Sequence, residues 1–405
     1  MTADQPAAGR PAPSPLAVPV LLLVVFMSLI GFGVVIPLLP FYATIFGAPA
    51  WQITLMFATF SLGQFLGELT WGRLSDRIGR RPVLLATIAA STVGYLALAY
   101  APGIWSAILI RGAMGFFSGN ISTIQGYIVD VSPRERVAPR LGMFGAAFGL
   151  GFVVGPSMGG LLARPELGEA GFRPPLLAAA VLCALACVGV FFLVRESVRP
   201  ALAGPRIGPI QAIRDALTDP VLRTLLSSTF VSFLSFSAMW ATVGLWGEAR
   251  FDWGPKEIGL AMAVTGVAAA LSQGVVSGAV VRRMGEPWTV AVGLSLTALA
   301  LVFQAASPLP AIAVICMTAG VAGHALSQPA MSSLISRSAP PDRQGATLGA
   351  NAAAGSLARV AGPIVAGFLY AVAPYGPILF AAAGMGPAAW LAWRAGRQLR
   401  ARAAA

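Results

Sequence analysis

Long apolar runs alternate with short polar breaks along almost the whole chain. A helix needs about 20 mostly apolar residues to cross the hydrocarbon core of a bilayer. By that measure the pattern predicts twelve membrane-spanning helices, which cover residues 16–40, 51–72, 83–101, 104–129, 139–163, 174–194, 222–246, 258–281, 288–306, 308–335, 344–371 and 376–394. The predicted fold class is therefore an all-α membrane protein.

The longest polar connection, residues 195–221, falls between the sixth and seventh predicted spans and divides the chain into two halves. The predicted domains are an N-terminal six-helix bundle, 16–194, this cytoplasmic linker, and a C-terminal six-helix bundle, 222–394. Residues 1–15 are rich in proline and alanine and are expected to form a disordered cytoplasmic N-terminus. Residues 395–405 are expected to form a cytoplasmic tail.

The distribution of arginine and lysine predicts the orientation of the chain in the membrane. Cytoplasmic loops of membrane proteins carry an excess of these residues. With the N-terminus inside, 21 of them lie in cytoplasmic segments and four lie on the opposite side. This bias predicts a multi-pass protein of a bacterial-type inner membrane with both termini in the cytoplasm. It also explains the net charge of +12 without a nucleic-acid partner, because the arginines form no continuous basic face.

Composition excludes a soluble globular protein and gives no support to an enzyme. Hydrophobic residues make up 57% of the chain and charged residues 10%, whereas soluble domains carry about 25% charged residues. The single histidine and the lack of a metalloprotease or nucleophile-elbow motif argue against hydrolase chemistry. The three cysteines lie in apolar runs, which is typical of small buried hydrophobic residues. We expect no metal and no organic cofactor.

An internal repeat relates the two halves. At an offset of 206 residues Gly79 aligns with Gly285, and at an offset of 207 Pro156 aligns with Pro363. Several such matches in the same order indicate two parallel-related six-helix bundles around a central cavity, an arrangement found in secondary transporters. The acidic Asp76 of the first half has an arginine as its counterpart, so the two halves differ in electrostatics.

Three short motifs resemble those of a known family of membrane proteins. Residues 72–81 read GRLSDRIGRR and are similar to the loop 2–3 motif GxLxDRxGRR of the major facilitator superfamily. Residues 151–160 read GFVVGPSMGG and resemble its antiporter motif GxxxGPxxGG, and residues 111–119 resemble its fourth-span arginine motif. Within the superfamily, the chain resembles the tetracycline-resistance branch of the twelve-span drug/proton antiporters. The resemblance implies alternating access, in which the two halves rock about the cavity.

The loop 2–3 motif is interpreted as a conformational latch, which consists of Gly72, Asp76, Arg77, Gly79, Arg80, Arg81 and Asp130. Gly72 allows close approach of a neighbouring helix, and Gly79 suits a turn with positive φ. Asp76 is placed to face a helix N-terminus, where a carboxylate is stabilised, and the resemblance implies that this helix is the eleventh span. Arg80 is expected to pair with Asp130. The alternative is that the arginines only set the topology and contact anionic lipids.

The antiporter motif places small residues on one face of the fifth span. Gly151, Gly155 and Gly159 recur at four-residue steps, Pro156 is expected to bend the helix, and Gly160 ends the motif. Faces of this kind let membrane helices pack closely. The eighth span has a similar stripe, and the resemblance implies that the two spans meet across the halves; ordinary glycine enrichment is the alternative. The residues of that second stripe are Gly266, Ala270, Gly274 and Gly278.

Four ionisable residues lie inside the predicted spans: Glu68, Arg111, His324 and Arg359. A charge near the bilayer centre costs several kcal/mol, so each is a candidate functional residue that faces a cavity or a partner. The resemblance associates Arg111 with proton coupling. Glu68 is interpreted either as a proton carrier or as the ion-pair partner of Arg359, and the helix register places Glu68 near Ala354. His324 is either a hydrogen-bonded helix residue or part of a proton relay.

These patterns predict a proton-coupled exporter of lipophilic, tetracycline-like drugs that works by alternating access. The proton gradient is the expected energy source, and the expected partners are a small-molecule substrate, protons and membrane lipids around a monomer. Ser28 stands where many members of the resembling branch carry an acid in the first span. Proton-coupled uptake of an organic anion or a sugar therefore stays open. A non-transporting membrane sensor or scaffold is the further alternative.

Overall fold

The computed structural model describes residues 17–197, 209–340 and 343–404, which form sixteen α-helices. A 3₁₀ segment, Pro165–Phe172, precedes α8, and a π-helical turn, Ser272–Val276, joins α11 to α12. The helices are α1 (Ala17–Val35), α2 (Leu39–Ile45), α3 (Ala50–Ile78), α4 (Arg80–Ala99), α5 (Ile104–Ser118), α6 (Ile121–Asp130), α7 (Arg134–Leu162), α8 (Arg173–Leu193), α9 (Pro209–Thr218), α10 (Pro220–Phe251), α11 (Pro255–Leu271), α12 (Ser277–Met284), α13 (Glu286–Ala306), α14 (Pro310–Ser338), α15 (Gln344–Val372) and α16 (Gly376–Ala404).

Each of the twelve predicted spans coincides with one of these helices or with two consecutive ones. Within the described residues, nine segments are long and apolar enough to cross a membrane. Of the other three, the fourth span is divided into α5 and α6, with 15 and 10 residues. The remaining two, α3 and α16, have the required length but are less apolar. The architecture is the predicted all-α membrane fold.

The first and fourth spans are interrupted where the sequence disfavours a continuous helix. The first span was predicted to reach residue 40, but α1 ends at Val35 because two closely spaced prolines follow in the segment 37–40. The fourth span breaks at Gly119 and Asn120, both of which are poor helix formers. At this break the side-chain amide of Asn120 donates a hydrogen bond to Thr87 Oγ1 on α4 at 2.7 Å.

The predicted linker and tail are more helical than expected. Part of the linker 195–221 forms α9, an amphipathic helix that packs against α10 and α15. The predicted tail continues α16 up to Ala404, because its alanine, arginine, glutamine and leucine residues are strong helix formers and outweigh the single glycine, Gly396. The predicted disordered N-terminus, 1–15, and linker residues 198–208 lie outside the described residues.

The two halves pack their helices in the same pattern. In the first half α1 packs against α7 and α8, α3 against α5, and α4 against α8; in the second half α10 packs against α15 and α16, α11 against α14, and α13 against α16. The aligned residues Gly79 and Gly285 both lie between consecutive helices with positive φ, 120° and 78°, a conformation that favours glycine. The two halves meet where α7 packs against α11 and where α3 packs against α15. The central space lies between these two contacts.

Candidate functional site

A cavity of about 590 Å³ lies between the two halves. Its wall includes residues of the first half and of the second half. All four ionisable residues that the sequence identified inside the spans line it: Glu68, Arg111, His324 and Arg359. The structure therefore brings together at one site the side chains that were selected only because a charge in hydrocarbon is costly.

Glu68 on α3 contacts the second half through a serine on α15. Ser356 Oγ lies 3.5 Å from Glu68 Oε2, to which it donates, and it accepts a hydrogen bond from Arg359 Nη2 at 2.8 Å. The two charges interact across this serine, so the ion pair with Arg359, one of the two interpretations of Glu68, takes a serine-bridged form in place of a direct contact. The Arg359 guanidinium donates a hydrogen bond to Ser356, one turn earlier on the same helix, and Ser356 lies between the two charged groups. The register was off by two residues, since Glu68 meets Ser356 and not Ala354.

Both cavity arginines lie over phenylalanine rings. The Arg359 guanidinium carbon is 5.4 Å from the ring centre of Phe233, and that of Arg111 is 4.2 Å from the ring centre of Phe60. Cation–π contacts of this kind are favourable, more so where water is excluded. Arg111 is 1% exposed, and among the described residues its Nε and Nη1 atoms have no hydrogen-bond partner. Arg111 thus brings a buried positive charge to the cavity wall.

His324 is buried and stacks on Phe236, with ring centres 4.1 Å apart and planes 6° apart. Its Nε2 lies 3.2 Å from the side-chain nitrogen of Gln328, one helical turn further along α14. His324 was interpreted either as a hydrogen-bonded helix residue or as part of a proton relay, and the structure shows the contact within the helix that the first interpretation expects. Nδ1 is buried without a partner in the described part of the chain.

Uncharged polar residues complete the cavity wall, and sequence reasoning did not identify them. They include Gln64, Asn120, Gln273 and Gln328. Ser28, which the sequence analysis noted in place of a first-span acid, also lines the cavity. Single amides and hydroxyls cost less in a membrane helix than a charge, so they give a weak signal in the sequence. Gln273 lies in the π-helical turn between α11 and α12, and such turns frequently mark functional sites.

The residues of the predicted latch form a connected cluster at the end of α3. Arg80 lies 2.9 Å from Asp76 Oδ1 and 3.1 Å from Asp130 Oδ2, so the predicted contact between Arg80 and Asp130 is present. Gly79 has the predicted positive φ. A side chain at Gly72 would meet the Ser122 hydroxyl at 3.1 Å, which agrees with the predicted close approach of a neighbouring helix.

Glu196 belongs to this cluster, although no sequence pattern had indicated it. Its carboxylate accepts hydrogen bonds from the backbone amides of Arg80 at 2.7 Å and Arg81 at 3.2 Å, at the start of α4. A carboxylate at this position satisfies amides that have no partner within the helix. Next to it, the Ser197 hydroxyl donates to Asp130 at 3.1 Å. The segment after the sixth span is thereby fixed to the latch.

We expect Glu196→Ala to destabilise the start of α4, because two helix amides lose their acceptor. Loss of a capping side chain typically costs about 1 kcal/mol, so the midpoint of thermal unfolding in detergent should fall by a few degrees, about 2–4 °C. Glu196→Gln should lose less, because its amide oxygen still accepts. The control is Glu166→Ala, at an exposed position. Equal midpoints for Glu196→Ala and the control would contradict the capping role.

The glycine stripe of the antiporter motif packs against α1 in its own half, not against α11. Side chains at Gly151, Gly155 and Gly159 would collide with α1, the first with Leu29 Cβ at 2.6 Å and the second with Gly33 Cα at 2.8 Å. The fifth and eighth spans meet across the halves as predicted, but these three glycines do not make that contact. Four-residue steps keep the three glycines on one helix face, and that face points towards α1.

The neighbouring face of α7 makes the contact with α11 instead. Gly160 packs on the backbone of Pro255 and Gly259 packs on the backbone of Pro156, both at close range. Further along, the contact loosens: a side chain at Gly149 would meet only Ala270 Cβ, at 3.6 Å. The remaining glycines near that end have no described atom of the facing helix within 4 Å of an added side chain: Gly142, Gly145, Gly274 and Gly278. The cavity is thus closed at one end and open at the other.

Two similar helical bundles around a cavity that is closed at one end are the architecture of many secondary transporters. The model of the Major Facilitator Superfamily matches residues 21–363 and 225–403, and the chain belongs to this superfamily. Membership confirms the predicted family and the prediction that the chain is a multi-pass membrane transporter of small molecules and not an enzyme.

Similar proteins share most of their length with this chain. It is 32% identical over 358 residues to tetracycline resistance protein, class C, of Escherichia coli, with 87% of this chain and 89% of that protein covered. It is 26% identical to quinolone resistance protein NorA of Staphylococcus aureus, with 88% and 90% covered. A solved bacterial homologue of the human lysosomal transporter Spinster has a TM-score of 0.78 at 16% identity, with 94% and 96% covered, and is similar in fold.

Proposed function

We propose that the protein is a proton-coupled exporter of lipophilic drugs that works by alternating access. The observation that carries this proposal is the cavity between the halves, closed at one end, with a carboxylate, two guanidinium groups and an imidazole in its wall. Relatives named for resistance to tetracycline and to quinolones support drugs as the substrates. Transport is driven by the proton gradient, without a metal or an organic cofactor.

Aromatic rings in the cavity wall support flat, ring-containing substrates. Phe60 and Phe32 have ring centres 5.0 Å apart, Phe32 and Phe152 6.0 Å, Phe152 and Trp240 6.4 Å, and Trp240 and Phe236 5.6 Å. These spacings suit offset or tilted ring contacts. Phe152 lies on α7 and Trp240 on α10, so the row of rings crosses from one half to the other. A drug held on this row contacts both halves.

The orientation follows from the arginine bias, and the open end of the cavity lies next to arginine-rich segments. Gly142 and Gly145 lie near the start of α7, close to Arg136 and Arg140. Placing the arginine-rich side in the cytoplasm puts both termini inside. The described state is then inward-facing, ready to receive a drug from the cytoplasm. The cavity wall is complete within one chain, so the proposed transport cycle needs no more than a monomer in contact with membrane lipids.

Glu68 is the proposed proton carrier. It lies on α3 in the first half and contacts Ser356 on α15 in the second half. Protonation removes the negative charge from this contact, next to Arg359, and so changes the balance between the two states of the carrier. Arg111 and His324 line the same cavity and contribute to the field in which the proton binds.

The latch residues are proposed to transmit this change to the cytoplasmic side. Asp76 lies eight residues after Glu68 on the same helix, which is about 12 Å at the helical rise of 1.5 Å per residue. Asp76, Arg80 and Asp130 connect the end of α3 to α4 and α6. Because α3 also packs along α15, a shift of α3 moves the latch relative to the second half.

Drug accumulation in bacteria that express the protein tests this proposal. We expect expressing cells to hold several-fold less labelled tetracycline than cells with the empty vector. A protonophore should remove the difference, because it dissipates the gradient that drives export. The control drug is a hydrophilic antibiotic of similar mass. Equal accumulation in the two strains across tetracyclines, quinolones and other lipophilic drugs, with the protein present in the membrane, would contradict the proposal.

A further inference from the structure

The outer face of α16 changes from apolar to basic along its length. Exposed positions recur there every three or four residues, which places them on one face of the helix. The opposite face is buried, as at Ala388 and Ala392, and α16 packs against α10 and α13. The face that no helix covers is the one that lipid contacts in a membrane-spanning helix. Its exposed positions include Leu379, Ala383, Gly386, Trp390, Arg394 and Arg397.

The basic end of this face lies at the depth of a membrane interface. Trp390 lies 14 residues after Gly376, where α16 begins, which is about 21 Å at the helical rise. Arg394 and Arg397 lie about 6 and 11 Å further along, at the end of a hydrocarbon core of about 30 Å. Tyrosine and tryptophan are enriched at both interfaces, and the exposed Tyr375 precedes α16 at its other end. The two guanidinium groups are therefore level with lipid phosphates.

Both arginines are held against indole rings. The guanidinium carbon of Arg394 lies 5.3 Å from the ring centre of Trp390. That of Arg397 lies 5.0 Å from the ring centre of Trp393. Cation–π contacts of this kind fix a guanidinium against the ring face. Within the described residues neither arginine has a carboxylate partner, and α16 contains no acidic residue.

The surroundings of the two arginines leave their charge uncompensated. Gly396 packs closely on Pro287 at the start of α13. The acid beside Pro287 is Glu286, and its carboxylate already accepts from Arg337 at 2.8 Å. Together with the two tryptophans and the two arginines, Gln398 lines a groove of about 520 Å³. The buried Oε1 of Gln398 has no donor in the described part of the chain, so the groove also offers an acceptor to a headgroup hydroxyl.

We propose that this groove binds an anionic phospholipid. Its phosphate pairs with Arg394 and Arg397, and its acyl chains lie along the apolar part of the same face, from Leu379 to Trp390. Arginine suits this role because its planar fork donates two hydrogen bonds to a phosphate at once. The site goes beyond the proposed transport of drugs, since none of these residues lines the central cavity. The bound lipid holds the end of α16 beside the start of α13.

A lipid fits this face better than a soluble anion or a second copy of the chain. A soluble anion would use the guanidinium groups and leave the apolar part of the face uncovered. A second copy, related by a two-fold axis along the membrane normal, would bring the same arginines together, and like charges that face each other are costly. Basic residues near a membrane surface attract anionic lipids, and only a lipid also covers the apolar part.

Native mass spectrometry of the purified protein, released from a neutral detergent, tests this site. The protein is mixed with equal amounts of phosphatidylglycerol and phosphatidylcholine that carry the same acyl chains, and the affinity for the first bound lipid is measured. Phosphatidylglycerol should bind about tenfold more tightly, and Arg394→Gln/Arg397→Gln should reduce this preference to within about twofold. Arg394→Lys/Arg397→Lys retains the charge and should keep a preference of at least about threefold. The control, Arg282→Gln/Arg283→Gln, removes two exposed arginines from α12 and should keep the full preference.

Equal affinity of the unmodified protein for the two lipids would overturn the site. So would a preference that survives Arg394→Gln/Arg397→Gln, or one that the control variant loses to the same extent. Displacement of the lipid by an excess of inorganic phosphate would identify a soluble anion as the occupant, and a dimer that disappears in Arg394→Gln/Arg397→Gln would identify a second copy; either result contradicts the proposal. If the double variant fails to fold, Arg394→Gln and Arg397→Gln are measured singly. Each should lose about threefold, and no loss in either would overturn the site.

Discussion

Replacing Glu68 with glutamine is expected to abolish proton-driven accumulation of drug while leaving exchange of drug down its own gradient intact. Glutamine keeps the size of the side chain and an oxygen that can accept from Ser356, but it cannot take up or release a proton. Energised inverted membrane vesicles should accumulate drug only to the level of vesicles without the protein. Counterflow of labelled against unlabelled drug should stay within about twofold of the original rate, because the hydrogen-bonding groups of the cavity wall are kept.

Two comparisons separate coupling from folding in this experiment. Glu68→Asp keeps an ionisable group and should retain part of the accumulation, whereas Glu166→Gln, at an exposed position, should behave like the original protein. Unfolding of Glu68→Gln would give Glu68 a structural role in place of the coupling role. A Glu68→Gln protein that folds and accumulates drug at the original rate would show that the proton binds elsewhere.

Gly160→Leu is expected to hold the closed end of the cavity open and to stop transport. A side chain at Gly160 collides with the backbone oxygen of Pro255 and lies 3.1 Å from Lys256 Cα. Backbone atoms of a packed helix cannot move aside as a flexible side chain can, so α7 and α11 must separate. A carrier that cannot close this end cannot complete its cycle, and transport should fall at least about tenfold.

Labelling from outside the cell reports whether this end has opened. Ile36 lines the cavity and is 3% exposed, so a cysteine at this position should react slowly with a membrane-impermeant maleimide when the end is closed. In Gly160→Leu it should react several-fold faster. Gly386→Leu is the control, because Gly386 is exposed on α16 and an added side chain meets no described atom within 4 Å. Normal transport by Gly160→Leu, or unchanged labelling, would contradict this account of the closed end.

The membrane helices could be predicted because bilayer thickness fixes how long an apolar run must be. The errors lie where local chemistry overrides that rule. Prolines after Val35 end the first helix early, and Gly119 with Asn120 divides the fourth span into α5 and α6. The helix that continues up to Ala404 was missed, because the charge of the arginines suggested a loop outside the membrane. Arginine and alanine both have a high intrinsic helix propensity, and this propensity decides the structure here.

The charged members of the cavity could be predicted because the cost of burial singles out each of them in the sequence. Their partners could not, since pairing between helices depends on register. The position opposite Glu68 was misplaced by two residues, which is about 3 Å along the helix and enough to exchange Ala354 for Ser356. Glu196 was missed for a related reason: it lies 116 residues from Arg80 and meets it only after α8 has returned to the start of α4.

Coupled movement of drug and protons in liposomes tests the central claim most directly. The purified protein is reconstituted into liposomes that contain tetracycline and a pH-sensitive dye, at equal pH inside and outside, with protein-free liposomes as the control. Exchange of drug for protons predicts that the interior becomes acidic as tetracycline flows out through the protein, and that liposomes with Glu68→Gln do not acidify. Outflow of drug without a pH change, or with an interior that becomes alkaline, would contradict proton-coupled export.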